Sequence, residues 1–153
     1  MMRSMVEPST YTLQIKRIIS ASPQRVFEAW TDPHVLTDWF APDKAFTTIV
    51  HTVDLQVGGR YRIEMVDPSG KSHTAIGEYR EVTPGVRLAF TWKWAEQAEM
   101  ENTLVTLDFL SQGTSTELVL THSLFVTTDG RDHHSKGWNG CLSRLAALVE
   151  STL

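Results

Sequence analysis

The chain has 153 residues, of which 41% are hydrophobic and 21% are charged, a balance that predicts one globular domain of ordinary soluble type. Its formal net charge of -4 gives no electrostatic reason to bind nucleic acid or an anionic membrane, and no apolar run approaches the ~20 residues that cross a bilayer. The single cysteine, Cys141, excludes an internal disulfide framework, and no leader-like segment precedes the first predicted strand, so we expect a cytoplasmic protein.

The first elements along the chain are predicted to be one strand and two short helices. Apolar and polar residues alternate from Tyr11 to Ile19, which is the period of a half-buried strand. Ser22 precedes a proline and is a good N-cap, so we predict a short helix from Pro23 to Trp30. Asp32 precedes another proline, and the same signal predicts a second short helix from His34 to Trp39.

The middle of the chain is predicted to form six more strands. Its period is two almost throughout, and glycine-containing or proline-containing turns interrupt it. Short connections of this kind favour antiparallel neighbours, so one antiparallel sheet of seven strands is expected. The six predicted strands are Thr47 to Asp54, Arg60 to Val66, Ser72 to Val82, Arg87 to Trp94, Asn102 to Leu110 and Ser115 to His122.

A long amphipathic helix is predicted to close the chain, from about Ser135 to Ser151. It carries an apolar stripe at helical spacing and has no second long helix to pack on, so the sheet must cover that stripe. The stripe consists of Trp138, Leu142, Leu145 and Val149. The strand faces predicted to point inward contain Tyr61, Ile63, Met65, Leu88, Phe90, Trp92, Trp94, Val105, Leu107, Phe109, Leu118, Leu120 and His122.

Several widely spaced motifs occur in the order in which a known family has them. They are Ala21-Ser22-Pro23, Thr31-Asp32-Pro33 with Trp39-Phe40, Asp54-Leu55 with Gly58-Gly59, Thr91-Trp92, Leu120-Thr121-His122, and His134-x-x-Gly137-Trp138. With these motifs the chain resembles, from about Tyr11 to Glu150, the bacterial relatives of the C-terminal domain of the heat-shock protein 90 ATPase activator. That family is similar to the steroidogenic acute regulatory, lipid-transfer and birch-pollen-allergen proteins.

The resemblance implies an α+β helix-grip fold of the START-like, or SRPBCC, type. In this fold a seven-stranded antiparallel sheet wraps around a long C-terminal helix, two short helices follow the first strand, and a hydrophobic cavity is enclosed. We expect a disordered tail over residues 1–9 and a single START-like domain over residues 10–153. We expect no counterpart of the activator's N-terminal domain, which grips the chaperone, so the resemblance to a stress-response family does not by itself imply chaperone stimulation.

Large aromatic side chains are the first candidates for ligand contact, because their rings offer area and their N–H and O–H groups can orient a polar end of a ligand. They could instead form a filled core. Trp39 and Phe40 could gate the mouth of a cavity or simply anchor a helix end. The candidate ligand-binding residues are Trp39, Phe40, Tyr61, Ile63, Phe90, Trp92, Trp94, His122, Trp138 and Leu142.

His122 is the candidate acid or base, because it lies at an inward position of the last predicted strand. The alternative is a buried histidine that is hydrogen-bonded to the backbone or to Tyr61. His134 is expected to satisfy backbone groups where the long helix begins. Adjacent His133 and His134 point about 100 degrees apart on a helix, so we expect no metal site. Cys141 is expected to be an inert, buried thiol.

The sequence favours binding of a small hydrophobic or aromatic molecule between the sheet and the long helix, with no cofactor. Two alternatives stay open: an enzyme that uses the same cavity with His122 as acid or base, and a module that interacts with a chaperone through an exposed apolar patch. Homodimerisation through a sheet edge, or through Trp39 and Phe40 at the surface, is a further expectation.

Overall fold

The computed structural model describes residues 10–151 and has the predicted α+β architecture, one antiparallel sheet and three helices. The tail predicted over residues 1–9 lies outside the described residues. The elements are β1 Tyr11–Ile19, α1 Pro23–Thr31, α2 Pro33–Trp39, β2 Thr47–Val53, β3 Arg60–Val66, β4 Ser72–Thr83, β5 Arg87–Trp94, β6 Thr103–Gln112, β7 Ser115–Phe125 and α3 Thr128–Glu150.

The two short helices begin where the capping signals predicted. The Ser22 side chain accepts a hydrogen bond from the backbone N–H of Arg25 at 3.2 Å and starts α1. Asp32 ends α1 and starts α2, because its Oδ1 accepts from the backbone N–H of His34 at 2.9 Å. One aspartate therefore fixes the angle between α1 and α2.

The long helix α3 begins at Thr128, seven residues before the predicted start at Ser135. The Thr127 side chain caps it by accepting from the backbone N–H of Gly130 at 3.0 Å, and Asp129 in the first turn complements the helix dipole. Strand β7 also continues to Phe125, past the predicted end at His122. Residues 123–134, which lie between the last predicted strand and the predicted helix, are therefore mostly regular structure, and His133 and His134 lie on the second turn of α3.

The strands form a single sheet in the order β1-β7-β6-β5-β4-β3-β2, with antiparallel pairing between all neighbours. Strands β1 and β2 are the edges of this sheet. The predicted inward faces are buried along β3, β5, β6 and β7, with Trp94 only half-buried at the end of β5. The helix-grip arrangement is therefore present, with α3 laid across the buried face of the sheet.

The apolar stripe of α3 is buried as the helical spacing predicted. Trp138, Leu142, Leu145 and Val149 are each at most 3% exposed. They join the inward strand residues in one core, in which burial of each large side chain contributes about 1.5–3 kcal/mol. None of the three helices between residues 10 and 151 combines the length and the apolar character that a membrane span needs.

Candidate functional site

A cavity of about 450 Å³ lies between the sheet, the N-terminal half of α3 and the loop that joins α2 to β2. We call it the aromatic cavity, and it is partly open to solvent. Its lining consists of Phe40, Pro42, Asp43, Phe46, Met65, His73, Trp92, Trp94, His133, His134, Lys136, Gly137, Trp138 and Cys141. Volumes of this size are typical of small-molecule sites, which are mostly apolar with a few polar groups.

Three indoles build the inner wall of the aromatic cavity. The Trp92 ring centroid lies 5.0 Å from that of Trp138 and 5.2 Å from that of Trp94. Phe40 packs edge-on against Trp138 with ring centroids 6.0 Å apart. These tilted and edge-on contacts lock the rings together, yet they leave an open volume on their loop side.

Behind this wall, His122 is completely buried and uses both of its ring nitrogens. Its Nδ1 accepts a hydrogen bond from the Trp138 indole N–H at 3.0 Å, and its Nε2 lies 2.7 Å from Thr103 Oγ1. The Thr103 hydroxyl donates to the carbonyl of Trp92 at 2.8 Å, so it accepts from the Nε2–H of His122. His122 is therefore held as the neutral tautomer with its proton on Nε2.

The protonation state of His122 follows from this enclosure. Burial, and then the neighbouring His134, lower the pKa of His122 to about 2. The partners of His122 are the side chains of Thr103 and Trp138, and not the backbone or Tyr61 as expected. The Tyr61 hydroxyl donates to the carbonyl of Thr91 at 2.5 Å instead. Both nitrogens of His122 are occupied and the residue does not line the aromatic cavity. Its role in this arrangement is to hold the Trp138 ring in place.

His134 makes a second imidazole–indole pair, and it forms part of the cavity wall. Its Nδ1–H donates to the carbonyl of Gly130 at 2.8 Å, and its Nε2 accepts from the Trp94 indole N–H at 3.1 Å. Burial, and to a lesser degree the charge of His133, lower its pKa. The predicted backbone contact is therefore present, although on the second turn of α3 rather than at its start.

The outer wall of the aromatic cavity is the α2–β2 loop, residues 40–46. A side chain of α3 contacts the main chain of this loop and of the end of α2. The Arg144 guanidinium donates to the carbonyls of Asp38 and Trp39 at the end of α2 and to the carbonyl of Asp43 in the loop, at 3.1–3.4 Å. Gly140 packs directly on the loop, since a Cβ placed there would lie 2.2 Å from the carbonyl oxygen of Pro42. The loop wall is thus tied to the helix.

Trp39 is a helix-end anchor rather than a surface gate. It is 0% exposed, and its indole N–H donates to the carbonyl of Ala29 at 2.9 Å. Phe40 is 3% exposed and lines the aromatic cavity from the loop side. The expectation that Trp39 and Phe40 lie at the surface for homodimer contacts is therefore wrong, because tight packing around α1 and α2 buries both rings.

The ten residues predicted to contact a ligand fall into three places. Phe40, Trp92, Trp94 and Trp138 line the aromatic cavity. Tyr61, Ile63 and Phe90 surround a separate crevice of only about 10 Å³, which has room for about one water molecule. Trp39, His122 and Leu142 are core residues that line neither space.

Sequence reasoning missed the polar rim of the aromatic cavity, where Asp43, His73, His133 and Lys136 lie. Asp43 belongs to an irregular loop, and His133 was predicted to lie before the long helix. Lys136 was predicted to lie in that helix, but it is not part of the apolar stripe. His73 could have been noticed from the Asp67-Pro68-Ser69-Gly70 turn beside it, because an aspartate at the start of such a turn has one oxygen to spare for a neighbour.

A second, larger cavity of about 940 Å³ adjoins the aromatic cavity. The two share a ridge made of His73, Trp94, His133 and His134. The walls of this acidic cavity carry Lys71 together with four carboxylates, which belong to Glu96, Glu99, Glu101 and Asp129. The aromatic cavity therefore opens beside a surface with an excess of negative charge.

The structure offers neither a metal cage nor an activated thiol within residues 10–151. No group of three or more His, Cys, Asp or Glu side chains in that range is arranged to hold a metal ion. Cys141 lines the aromatic cavity, and burial raises the pKa of its thiol to about 12. A thiol in that state is a small apolar wall group.

Comparison with known proteins agrees with this architecture. Residues 20–150 match the family described as Activator of Hsp90 ATPase homolog 1-like protein. No curated protein matches the chain significantly. Among solved structures, protein CV1439 from Chromobacterium violaceum is 29% identical with a TM-score of 0.84, and the match covers 91% of this chain and 96% of that chain.

Two further solved structures share the fold. The AHSA1 protein from Silicibacter pomeroyi is 20% identical with a TM-score of 0.83, and the match covers 94% of this chain and 100% of that chain. A protein from Rhizobium leguminosarum is 26% identical with a TM-score of 0.73, and the match covers 94% of this chain and 96% of that chain.

Proposed function

Because the chain belongs to the family of Activator of Hsp90 ATPase homolog 1-like proteins, we propose that it binds a small hydrophobic or aromatic molecule in the aromatic cavity. The family and the helix-grip fold support a ligand-binding or chaperone-related module. The observation that carries the finer proposal is the volume of about 450 Å³ beside three indoles. An interlocked aromatic wall next to open space is suited to a flat, apolar guest.

The energetics of such a guest are favourable. A ligand that buries about 300 Å² of apolar surface gains about 7.5 kcal/mol at the usual ~25 cal/mol per Å², before the entropy cost of association. The wall is held in place by the Trp138–His122 and Trp94–His134 hydrogen bonds, so it is ordered before the ligand arrives. Preorganisation of this kind reduces the cost of binding.

Native mass spectrometry of freshly purified protein tests this proposal, because a co-purifying molecule would add a defined mass that is lost on mild denaturation. Gly137→Leu supplies the blocked variant: Gly137 lines the cavity and a Cβ there meets no atom within 4 Å, so leucine would occupy ligand space. Asn139→Leu is the matched control, since Asn139 is exposed on the same helix. The proposal fails if Gly137→Leu retains the native occupancy, or if the native protein binds no apolar probe.

An enzymatic role for His122 receives no support from its surroundings. An acid or base must reach the reacting atom directly or through one water, whereas both nitrogens of His122 are bonded to Thr103 and Trp138 behind the wall. If the aromatic cavity hosts a reaction, a His122→Asn variant that folds should keep substantial turnover. Complete loss of turnover with ligand affinity retained would revive the enzymatic proposal for His122.

The chaperone-related alternative has a different signature, because it needs a docking surface rather than an occupied cavity. Exposed apolar side chains do lie near the acidic cavity, where Leu124 is 47% and Val126 is 72% exposed. An ATPase assay with purified chaperone separates the alternatives. Stimulation that survives Gly137→Leu but is lost in Leu124→Ser or Val126→Ser would favour the chaperone-related function.

A further inference from the structure

His73 stands on the ridge between the two cavities, at the beginning of β4. Its side chain is 38% exposed and lines both spaces. Its ring centroid lies 6.4 Å from that of Trp94 and 6.3 Å from that of Phe46, so an aromatic guest against those rings would have the imidazole at its edge. His73 is therefore placed to meet a polar substituent of the ligand.

Asp67 fixes the orientation of the His73 ring. One oxygen of Asp67 is held by the β3–β4 turn, accepting from the backbone N–H groups of Ser69 and Lys71 at 2.9 and 3.0 Å. The other oxygen lies 3.0 Å from Nε2 of His73. Hydrogen bonds from Ser69 and His73 hold the pKa of Asp67 well below its usual range, so it is a carboxylate and accepts the Nε2–H.

The remaining nitrogen of the His73 ring is Nδ1. Within residues 10–151, no protein group hydrogen-bonds Nδ1, and in a neutral imidazole that is protonated on Nε2 this atom is an acceptor. His134, on the same ridge, already uses both nitrogens. His133 is exposed and pairs with no carboxylate among residues 10–151. Of the three cavity-lining histidines, only His73 combines a fixed ring with an unused acceptor.

We propose that His73, oriented by Asp67, is the hydrogen-bond acceptor through which the aromatic cavity selects ligands that carry a hydroxyl group. The ligand class is thus a flat aromatic molecule with a phenol-type or enol-type O–H at its edge. This inference rests on the proposed function, because the aromatic cavity must first admit the apolar part of the molecule. It adds a directional contact that an indole wall cannot supply, since indoles only donate.

Two nearly isosteric probes test the proposal: 2-naphthol, which donates a hydrogen bond, and 2-fluoronaphthalene, which does not. Equilibrium dialysis gives both Kd values at pH 8, because a neutral imidazole offers a lone pair and an imidazolium does not. The readout is the ratio of the two Kd values, compared between native protein and His73→Phe. Because both proteins are measured with the same two probes, comparing the two ratios cancels the difference in hydration free energy between the probes. We expect His73→Phe to reduce the preference for 2-naphthol about fivefold.

The His51–Glu64 pair supplies the matched control. His51 Nε2 lies 2.8 Å from Glu64 Oε1, so it is also a strand histidine paired with a carboxylate, but it lines neither cavity. His51→Phe should leave the ratio at its native value. An equal fall in both variants, or an unchanged ratio in His73→Phe, would overturn the inference while leaving the proposed function in place. Failure of both probes to bind native protein would overturn both.

Nuclear magnetic resonance of the native protein gives a second readout, which does not depend on the folding of a variant. With nitrogen-15-labelled histidine, saturating 2-naphthol should shift the Nδ1 signal of His73, and 2-fluoronaphthalene should leave it in place. Equal shifts with the two probes would indicate ring contact without hydrogen bonding and would contradict the inference.

Discussion

His122 shows how a single enclosed side chain links the core to solution conditions. It is 0% exposed, and its neutral form is required by the indole N–H that donates to it. Protonating it in the folded state would place a charge in the core and break that bond. The cost of this protonation should appear in the stability of the protein rather than in the binding of a ligand.

Stability should therefore fall as the pH is lowered. The unfolded chain takes up a proton on His122 near pH 6.5, whereas folded His122 stays neutral down to a pKa of about 2. Between these values the unfolded state binds more protons, so the free energy of unfolding falls by up to about 1.4 kcal/mol per pH unit. Urea unfolding at several pH values from 7.5 to 4.5 gives the unfolding free energy as a function of pH. The slope of this function should be shallower for His122→Gln than for native protein. Equal slopes would contradict this assignment.

The Thr103 hydroxyl is the second group on which His122 depends. In Thr103→Val the Nε2–H of His122 and the carbonyl of Trp92 both lose a partner, so we expect a loss of about 1–3 kcal/mol in unfolding free energy. Thr106→Val, on the same strand, is the control and should change stability by less than about 0.5 kcal/mol. Denaturant unfolding measures both. A tolerated Thr103→Val would show that this hydrogen bond contributes little.

The long helix α3 contributes to both the core and the cavity, and its glycines show how it does so. At Gly140 the helix backbone touches Pro42 of the α2–β2 loop, and at Gly137 the helix surface faces open space. The same residue type therefore serves close packing at one position and leaves volume at the other. Helix propensity alone disfavours both glycines equally.

Alanine substitutions should separate these two glycines. In Gly140→Ala the new Cβ would lie 2.2 Å from a backbone oxygen, which forces the loop away and costs about 1–3 kcal/mol of unfolding free energy. Gly137→Ala meets no atom within 4 Å and should raise stability by up to about 1 kcal/mol. The two substituted positions lie about one helical turn apart, and thermal unfolding of the two variants tests this prediction. Similar Tm changes would contradict the predicted close contact.

Strands such as β3 and β6 could be predicted because their burial alternates with the same period as their sequence, whereas β5 is buried on both faces and is marked by the turn that precedes it. The bounds of β1, β3 and β5 match the prediction at both ends. The start of α3 could not be predicted in this way. Residues 128–134 are polar, so no apolar stripe marks them as helical, and their helix depends on the Thr127 cap and on packing of His134 against Phe125 and Trp94.

The candidate site was only partly predictable for a related reason. Strand register places Trp92 and Trp94 toward the interior, and the helical stripe does the same for Trp138, so the inner wall follows from periodicity. The outer wall comes from an irregular loop that is held by Arg144. The position of that loop depends on tertiary contacts between residues about 100 positions apart, which carry no local signal.

Ligand binding should stabilise the complete domain, because the aromatic cavity exists only when the sheet, the loop and α3 are assembled. A ligand present at 100 times its Kd should raise the unfolding free energy by about 2.7 kcal/mol. Thermal unfolding with 2-naphthol should show this gain in native protein and in Asn139→Leu, and much less of it in Gly137→Leu. A gain of equal size in Gly137→Leu would place the bound probe elsewhere.

The Arg144 clamp has a consequence for protein engineering. Its three acceptors are main-chain carbonyls, two at the end of α2 and one in the loop, so these hydrogen bonds do not depend on which side chains the loop carries. Pro42, Asp43 and Phe46 all line the aromatic cavity. A library randomised at these positions should yield variants that bind other aromatic molecules without a change in the backbone of the loop. A change in the fluorescence of the neighbouring tryptophans would detect binding.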